Sequence, residues 1–297
     1  MTAAAARDGE TGGRALVARA PGKVNLSLFV GAPRADGLHP LVSVVQPLSL
    51  ADELTLRPAP DASADEVVCP GVDGENLAGR ALAAFREATG WDAPPQRLEI
   101  VKRVPVAAGM GGGSADAAAA LRLAAHAAGG APPGLLHELA VRLGADVPSQ
   151  VAPGRVLMHG AGEHVERLPE PVPFGLLIVP SELALSTPAV YAEFDRLGHA
   201  RTPAELETRA AEARAGDAPP AVNDLQDAAR ALCPAIDEVL EAVRRTGARA
   251  AMVSGSGPTV FGRLASFAEA ERAAVEIGPH AVAAHPVGPA FAEVREA

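Results

Sequence analysis

The stretch at residues 105–120, PVAAGMGGGSADAAAA, decides how the rest of the chain is read. It follows a strand-like apolar run at residues 98–104, opens on Pro105 and passes through Gly109, Met110, Gly111, Gly112 and Gly113. It leaves through Ser114 into an alanine-rich segment that reads as a helix to residue 128. Glycines allow backbone conformations closed to other residues and let N–H groups face outward. A helix beginning at Ser114 adds unpaired N–H groups and the positive end of its dipole. Together these make an anion cradle suited to nucleotide phosphates. The same residues also spell a tight turn with close strand–helix packing.

Spelling excludes two familiar phosphate loops. The Walker type needs Lys and then Ser or Thr directly after its last glycine, where this chain has Ser114 and Ala115. The dinucleotide type needs G-x-G-x-x-G, and counting from Gly109 and Gly111 puts Ser114 in the final place. A phosphate loop here belongs to a third kind.

Bulk composition bounds the rest. A chain of 297 residues can bury a substantial core as one large domain or two medium ones. Hydrophobic residues at 48% indicate a globular protein, and mean hydropathy is +0.13. A net charge of −10 and 3% aromatic residues argue against nucleic acid as a partner. Cys69 and Cys233 form no metal-type spacing, so free thiols in a reducing cytoplasm are expected. Residues 1–12 hold no apolar signal-peptide core, and no run approaches a membrane span. The expectation is a soluble cytoplasmic monomer or homodimer with a small-molecule partner and no membrane or nucleic acid. Only Lys23 and Lys102 are lysines among 26 basic residues, so each merits inspection.

Working outward, residues 15–20 and 23–30 read as strands broken at Pro21-Gly22. In the second, Lys23, Asn25 and Ser27 alternate with Val24, Leu26 and Leu28, which puts Lys23 and Asn25 on one face. Taken alone, that pattern is a solvated strand face. Further strands are expected at 41–50, 52–56 and 66–69, and helices at 76–87 and 135–143. Asp146, in Gly144-Ala145-Asp146-Val147-Pro148, reads as a turn or cap residue at a helix exit. Residues 155–159 and 163–168 form a hairpin, which His159 and His164 decorate with no ligand partners at metal spacing.

Pro169, Pro171 and Pro173 mark a boundary. Beyond it come a strand at 174–179, helices led by Ser186-Thr187-Pro188 and Thr202-Pro203, and a polar loop at 214–220. Asn223 or Asp224 caps a further helix, and another spans 236–245. A second glycine loop, Ser254-Gly255-Ser256-Gly257-Pro258, lies between strands at 248–253 and 259–264. A helix at 267–277 and a strand at 281–286 close an α+β second half.

Three separated stretches, PGKVNLSL, PVAAGMGGGSADAA and VSGSGPTVF, resemble the signature motifs of the GHMP small-molecule kinases. RADG-x-H, GADVP and the NDL at Asn223 resemble the branch whose acceptor is a cytidine diphosphate-linked methylerythritol, in non-mevalonate isoprenoid synthesis. The resemblance implies an α+β fold of two domains. The first, at 14–170, is ribosomal-protein-like α/β; the second, at 171–292, is ferredoxin-like. It also implies ATP as donor with Mg²⁺, and a phosphate loop of Pro105, Gly109, Met110, Gly111, Gly112, Gly113 and Ser114, with Ser114 contacting the metal. Lys23 and Asp146 match the catalytic pair. Asn25, Leu38, His39, Tyr191, Gly255, Ser256 and Gly257 match the substrate side.

In that reading Asp146 takes the proton of the acceptor hydroxyl, while Lys23 orients it and offsets charge on the transferring group. One departure stands out. Leu38 occupies the place of an aromatic that stacks on the cytosine in relatives, while Tyr191 matches the opposing ring. A different alcohol as acceptor is therefore the competing expectation. A silent nucleotide-binding module is a third, against which Lys23 and Asp146 occurring together argue.

Overall fold

The computed structural model describes residues 14–297 apart from 73, 107, 182, 184 and 217; the N-terminal stretch read for a leader thus lies outside the described residues. Two long strands, β1 (Leu16–Val30) and β2 (Leu41–Pro58), pair antiparallel over almost their full length. Each is one element where the sequence reading placed two. Register shifts between Pro21 and Lys23, and again between Asn25 and Ser27, absorb the interruption. A bulge tolerates the missing proline N–H that would break a regular ladder. Gly22 is used for closeness, since a Cβ there would stand 3.2 Å from Val104 Cγ1. The second strand crosses residue 51 because Ala51 still pairs with Pro21, continuing the ladder.

The first half continues with β3 (Glu66–Val68), α1 (Leu77–Thr89), β4 (Gln96–Val101), α2 (Gly112–Ala127), α3 (Leu135–Leu143), the short α4 (Val147–Val151), β5 (Val156–Gly160) and β6 (His164–Arg167). β2 is the fork of its sheet. Its second half pairs with β4 and its first half with β5, while β3 runs parallel to β4. The expected strand to residue 104 ends at Val101, because Asp52 Oδ1 takes the next amides, Arg103 N at 2.5 Å and Val104 N at 2.8 Å. Asp146, expected as a turn or cap residue, lies in a turn and is the N-cap of α4, a helix too short to show periodicity.

The second half comprises β7 (Gly175–Val179), α5 (Thr187–Leu197), α6 (Pro203–Arg214), α7 (Gln226–Leu232), α8 (Ala235–Arg245), β8 (Ala250–Val253), β9 (Val260–Leu264), α9 (Phe267–Ile277) and β10 (Val282–Ala284). Its sheet order β10-β7-β9-β8 is the split strand–helix–strand arrangement of ferredoxin-like folds, with extra helices after β7. A final strand, β11 (Arg295–Glu296), returns to pair with β1. Thr202 and Glu205 form a reciprocal capping box at α6. Neither Asn223 nor Asp224 is the cap expected for α7, which Leu225 occupies. Both side chains hold other segments: Asn223 Nδ2 donates to Val253 O and Gly255 O, and Asp224 accepts from Val30 N and Arg201.

The α1 and α2 helices cover the first sheet, burying Leu54, Leu82, Phe85, Leu98 and Leu121 completely. Each such side chain contributes about 1.5–3 kcal/mol. Alanines at 115, 117–120 and 124 are fully buried, so α2 approaches both α1 and the sheet closely. A second cluster joins the halves, setting Leu28, Val30 and Leu41 against Leu177, Phe194 and Val260. The glycine loop lies beside this junction.

Candidate active site

The loop at residues 105–114 is built to be small. Gly109 and Gly111 hold φ of +72° and +65°, in the left-handed region that favours glycine. A Cβ on Gly109 would stand 2.7 Å from both Ser254 O and Gly257 O, so the second glycine loop presses directly on the first. The following helix begins at Gly112, two residues before the expected start at Ser114, with Gly111 as its N-cap. The unpaired amides of its first turn therefore belong to Gly112, Gly113 and Ser114. Met110 contributes backbone only: its side chain is buried and its carbonyl accepts Lys23 N at 2.9 Å.

Lys23 and Asn25 share a face as the alternation demands, but that face is not solvated. Lys23 is 4% exposed and Asn25 3%. Lys23 Nζ donates to Asn25 Oδ1 at 2.9 Å, Asn25 Nδ2 to Ser43 Oγ at 2.8 Å, and Ser43 Oγ to Ser27 O at 2.7 Å. This chain of bonds fixes the ammonium through one of its three N–H groups. Asp146 Oδ2 stands 3.6 Å from it, on a side chain that is 36% exposed. Asp146 is the N-cap of α4 yet makes no capping bond with its side chain, so its carboxylate is free to face the opening.

Two clefts meet at this point, and Gly109 and Gly111 line both. One, of about 370 Å³, continues from the loop past Asn76, Leu77 and Cys69 to Lys102. The other, of about 610 Å³, is lined by Lys23, Asn25, Asp146, His39, Tyr191 and Ser256 among others. A larger open groove of about 780 Å³ along α1 lies outside this junction, and its Asp65 is already paired with Arg86.

His39 and Tyr191 form one wall of the larger cleft, their ring centroids 4.9 Å apart. His39 Nδ1 donates to Gly31 O at 2.9 Å, and Nε2 lies 3.5 Å from Asp195 Oδ2. Burial and the charge of Asp146 push the Tyr191 hydroxyl up to about 12, so it stays protonated. Leu38 also lines this cleft, 53% exposed, on a turn held by Leu38 N donating to Asp36 Oδ1 at 3.0 Å. Ser256 Oγ meets Thr187 Oγ1 at 2.9 Å, and Gly255 sits against Asn25. Gly257 is buried behind them and does not line the cleft.

Sequence reasoning singled out Lys102 without giving it a role. Its Nζ bridges Asp52 Oδ2 at 2.5 Å and Asp116 Oδ2 at 2.7 Å, below the first turn of α2. Burial pulls the ammonium pKa down, but the two carboxylates outweigh that and hold it above its ordinary value. Asp116 is pushed up to about 7 by burial, with Asp52 adding to the shift and Lys102 opposing it. Asp52 and Asp116 carried no local signal; only the fold brings them to one ammonium.

Comparison with known proteins follows the same lines. The family models for the GHMP kinases N terminal domain and GHMP kinases C terminal match residues 76–154 and 199–281. A 4-diphosphocytidyl-2-C-methyl-D-erythritol kinase of Kineococcus radiotolerans is 43% identical over 281 residues, covering 89% of this chain and 86% of that protein. The protein of the same name from a Nocardioides species is 40% identical, covering 91% of this chain and 94% of its own. A crystal structure of 4-(cytidine 5'-diphospho)-2C-methyl-D-erythritol kinase superposes with a TM-score of 0.75 at 36% identity, covering 92% of this chain and all of the other. Mevalonate pyrophosphate decarboxylase from Streptococcus pyogenes shares the fold at a TM-score of 0.70 and 11% identity, covering 94% of this chain and 98% of its own.

Proposed function

This chain belongs to the 4-diphosphocytidyl-2-C-methyl-D-erythritol kinases of the GHMP kinase superfamily, and from that premise we propose that it phosphorylates the 2-hydroxyl of 4-diphosphocytidyl-2-C-methyl-D-erythritol with ATP. The observation that carries this reading is the junction of two clefts at Gly109 and Gly111, with Lys23 and Asp146 beside it. The triphosphate lies on the amides of Gly112, Gly113 and Ser114, with its nucleoside toward Asn76 and Lys102. The acceptor fills the larger cleft between His39, Tyr191 and the second glycine loop. Residues 14–170 supply the donor half, and residues 171–292 supply part of the acceptor wall.

The chemistry needs positioning and charge stabilisation rather than a covalent enzyme intermediate. As the acceptor oxygen bonds to the γ-phosphorus, its proton passes to an Asp146 oxygen, and the bond to the bridging oxygen of ADP breaks. Lys23, held by Asn25, offsets charge on the transferring group and keeps Asp146 in place. Ser114, half-buried in the first turn of α2, fits as the protein contact of a hydrated Mg²⁺. No group of three or more His, Cys, Asp or Glu able to hold a metal occurs among the described residues. Bound there, Mg²⁺ would neutralise phosphate charge.

A panel of alcohols with labelled ATP tests the assignment. The cytidine-linked methylerythritol is expected to be labelled first; another alcohol labelled in its place would refute the acceptor. Leu38 motivates that competing reading, because it removes a ring from the cleft lip. Leu38→Tyr is expected to tighten the cytidine-linked acceptor, with stacking worth about 1–3 kcal/mol, read as a lower acceptor KM at unchanged KM for ATP.

A further inference from the structure

Arg122 stands out among the described residues as a cation used without a carboxylate. It lies on α2, two and a half turns past the phosphate loop, and no acidic group is within ion-pair distance of it among the described residues. Its partners are backbone carbonyls from two other segments. Nη1 donates to Gln150 O at 2.6 Å and reaches Val151 O at 3.5 Å, while Nη2 donates to Arg19 O at 2.8 Å. The residue keeps a little exposed surface, yet its Nε is sealed from solvent with no partner. Burial alone pulls the guanidinium down to about 10, still charged at neutral pH.

Those three carbonyls sit at telling places. Gln150 and Val151 end α4, the helix whose N-cap is Asp146. Arg19 lies on β1 four residues before Lys23, just ahead of the register shift after Pro21. The other end of the link is α2 itself, whose first turn is the phosphate loop. A five-residue helix cannot hold its own shape, since its length barely exceeds the nucleus. Its N-cap, Asp146, makes no side-chain capping bond, and the carboxylate faces the cleft. Near that end it has Ser149 Oγ donating to Asp146 O at 2.8 Å and Val147 N donating to Gly144 O at 3.2 Å. Arg122 closes its far end, where a cation also suits the helix dipole. A planar guanidinium reaches carbonyls on two segments at fixed angles, which an ammonium does not.

We propose that Arg122 is a positioning residue for phosphoryl transfer, holding α4, and so Asp146, in register with β1, and so Lys23, across the loop end of α2. The inference rests on the reading of Asp146 as the base. An apolar residue of the same volume would leave three carbonyls without their donor and let α4 slide on α2. The slide moves Asp146 relative to Lys23 while leaving the loop amides in place.

The test compares Arg122→Met and Arg122→Lys with wild type and with Asp146→Asn. Circular dichroism and urea unfolding establish folding; kcat and both KM values are then measured. Arg122→Met is expected to lower kcat on the order of 10²-fold, as a misplacement of about 1 Å does, with both KM values within threefold of wild type. Arg122→Lys, which keeps the charge and part of the bonding, is expected to recover roughly tenfold of that loss. If Arg122→Met does not fold, Arg122→Lys is expected alone to show a lowered kcat at unchanged KM. The proposal is overturned if kcat stays within threefold of wild type in the folded variants. It is equally overturned if the KM for ATP rises in step, or if both variants fail to fold. Asp146→Asn separates the two ideas: full activity there removes the base itself, whereas a dead Asp146→Asn beside an unimpaired Arg122→Met removes only the clamp.

Discussion

The two lysines of this chain flank the same glycine loop and are used in opposite ways. Lys23 faces a single carboxylate at 3.6 Å, across an opening where Asp146 is 36% exposed. Lys102 is locked between two carboxylates at 2.5 and 2.7 Å, which are sealed from water. The first pair is long and faces the larger cleft. In the second, the ammonium is bound by two buried carboxylates at short range. The short, buried pairs are the ones expected to serve the fold, and the longer pair at the cleft is the one proposed for the chemistry. Both side chains pack against the loop: a Cβ on Gly111 would meet the Lys23 stem, at 3.1 Å from Cε, and one on Gly112 would meet Lys102 Nζ at 3.4 Å.

Substitution on the Lys23 side is expected to strike the reaction. Asp146→Ala should lower kcat by about 10²–10⁴-fold, the usual worth of a positioned base, with nucleotide affinity preserved in titration calorimetry. Lys23→Met should follow it, with the melting temperature close to wild type. Activity near wild type in either variant would erase the contrast between the two lysines.

On the other side, Lys102→Met is expected to strike the fold. It leaves Asp52 and Asp116 buried with no counter-charge, and breaking such a pair costs roughly 3–5 kcal/mol in urea unfolding. A variant of unaltered stability but reduced turnover would place Lys102 in the chemistry instead.

The smallest expected effect concerns pH. Asp116 titrates near 7 in the folded protein, above its ordinary value, because burial disfavours its charge. The stability this confers is complete below the ordinary carboxylate pKa and is lost as pH rises through about 7. Asp116→Asn removes that titration. Relative to wild type, its unfolding free energy should therefore improve from pH 5 to pH 8, by at most about 1.4 kcal/mol per pH unit. A difference between the two proteins that is flat with pH would show that Lys102 keeps Asp116 ionised throughout.

Much of the site was legible because local rules govern its parts. The glycines and the alanine helix announce a phosphate-sized cradle, and alternation alone puts Lys23 and Asn25 on one face. Errors arose where a distant contact overrode a local signal. Pro21-Gly22 is a strong breaker, yet β2 alongside it carries β1 through as a bulge. Asp146 in front of Pro148 has the spelling of a turn or cap, and it is one; that its carboxylate faces Lys23 follows only from the tertiary structure. Asn223 looks like a helix cap, but its Oδ1 accepts from Leu225 N one residue before the helix, and its Nδ2 is aimed away at the carbonyls of Val253 and Gly255. Arg122 carries no signal at all, because its acceptors lie 28 and 103 residues away.

By itself the sequence determined the inventory: a loop with no room for side chains, two lysines, a second glycine loop to press on the first, and an α+β succession of elements. Those follow from spelling and periodicity, which act over a few residues. The tertiary structure decided which carboxylate faces which lysine, and whether each pair is sealed or open. That choice depends on the desolvation and packing of groups contributed by segments far apart in the chain, and no local pattern encodes it.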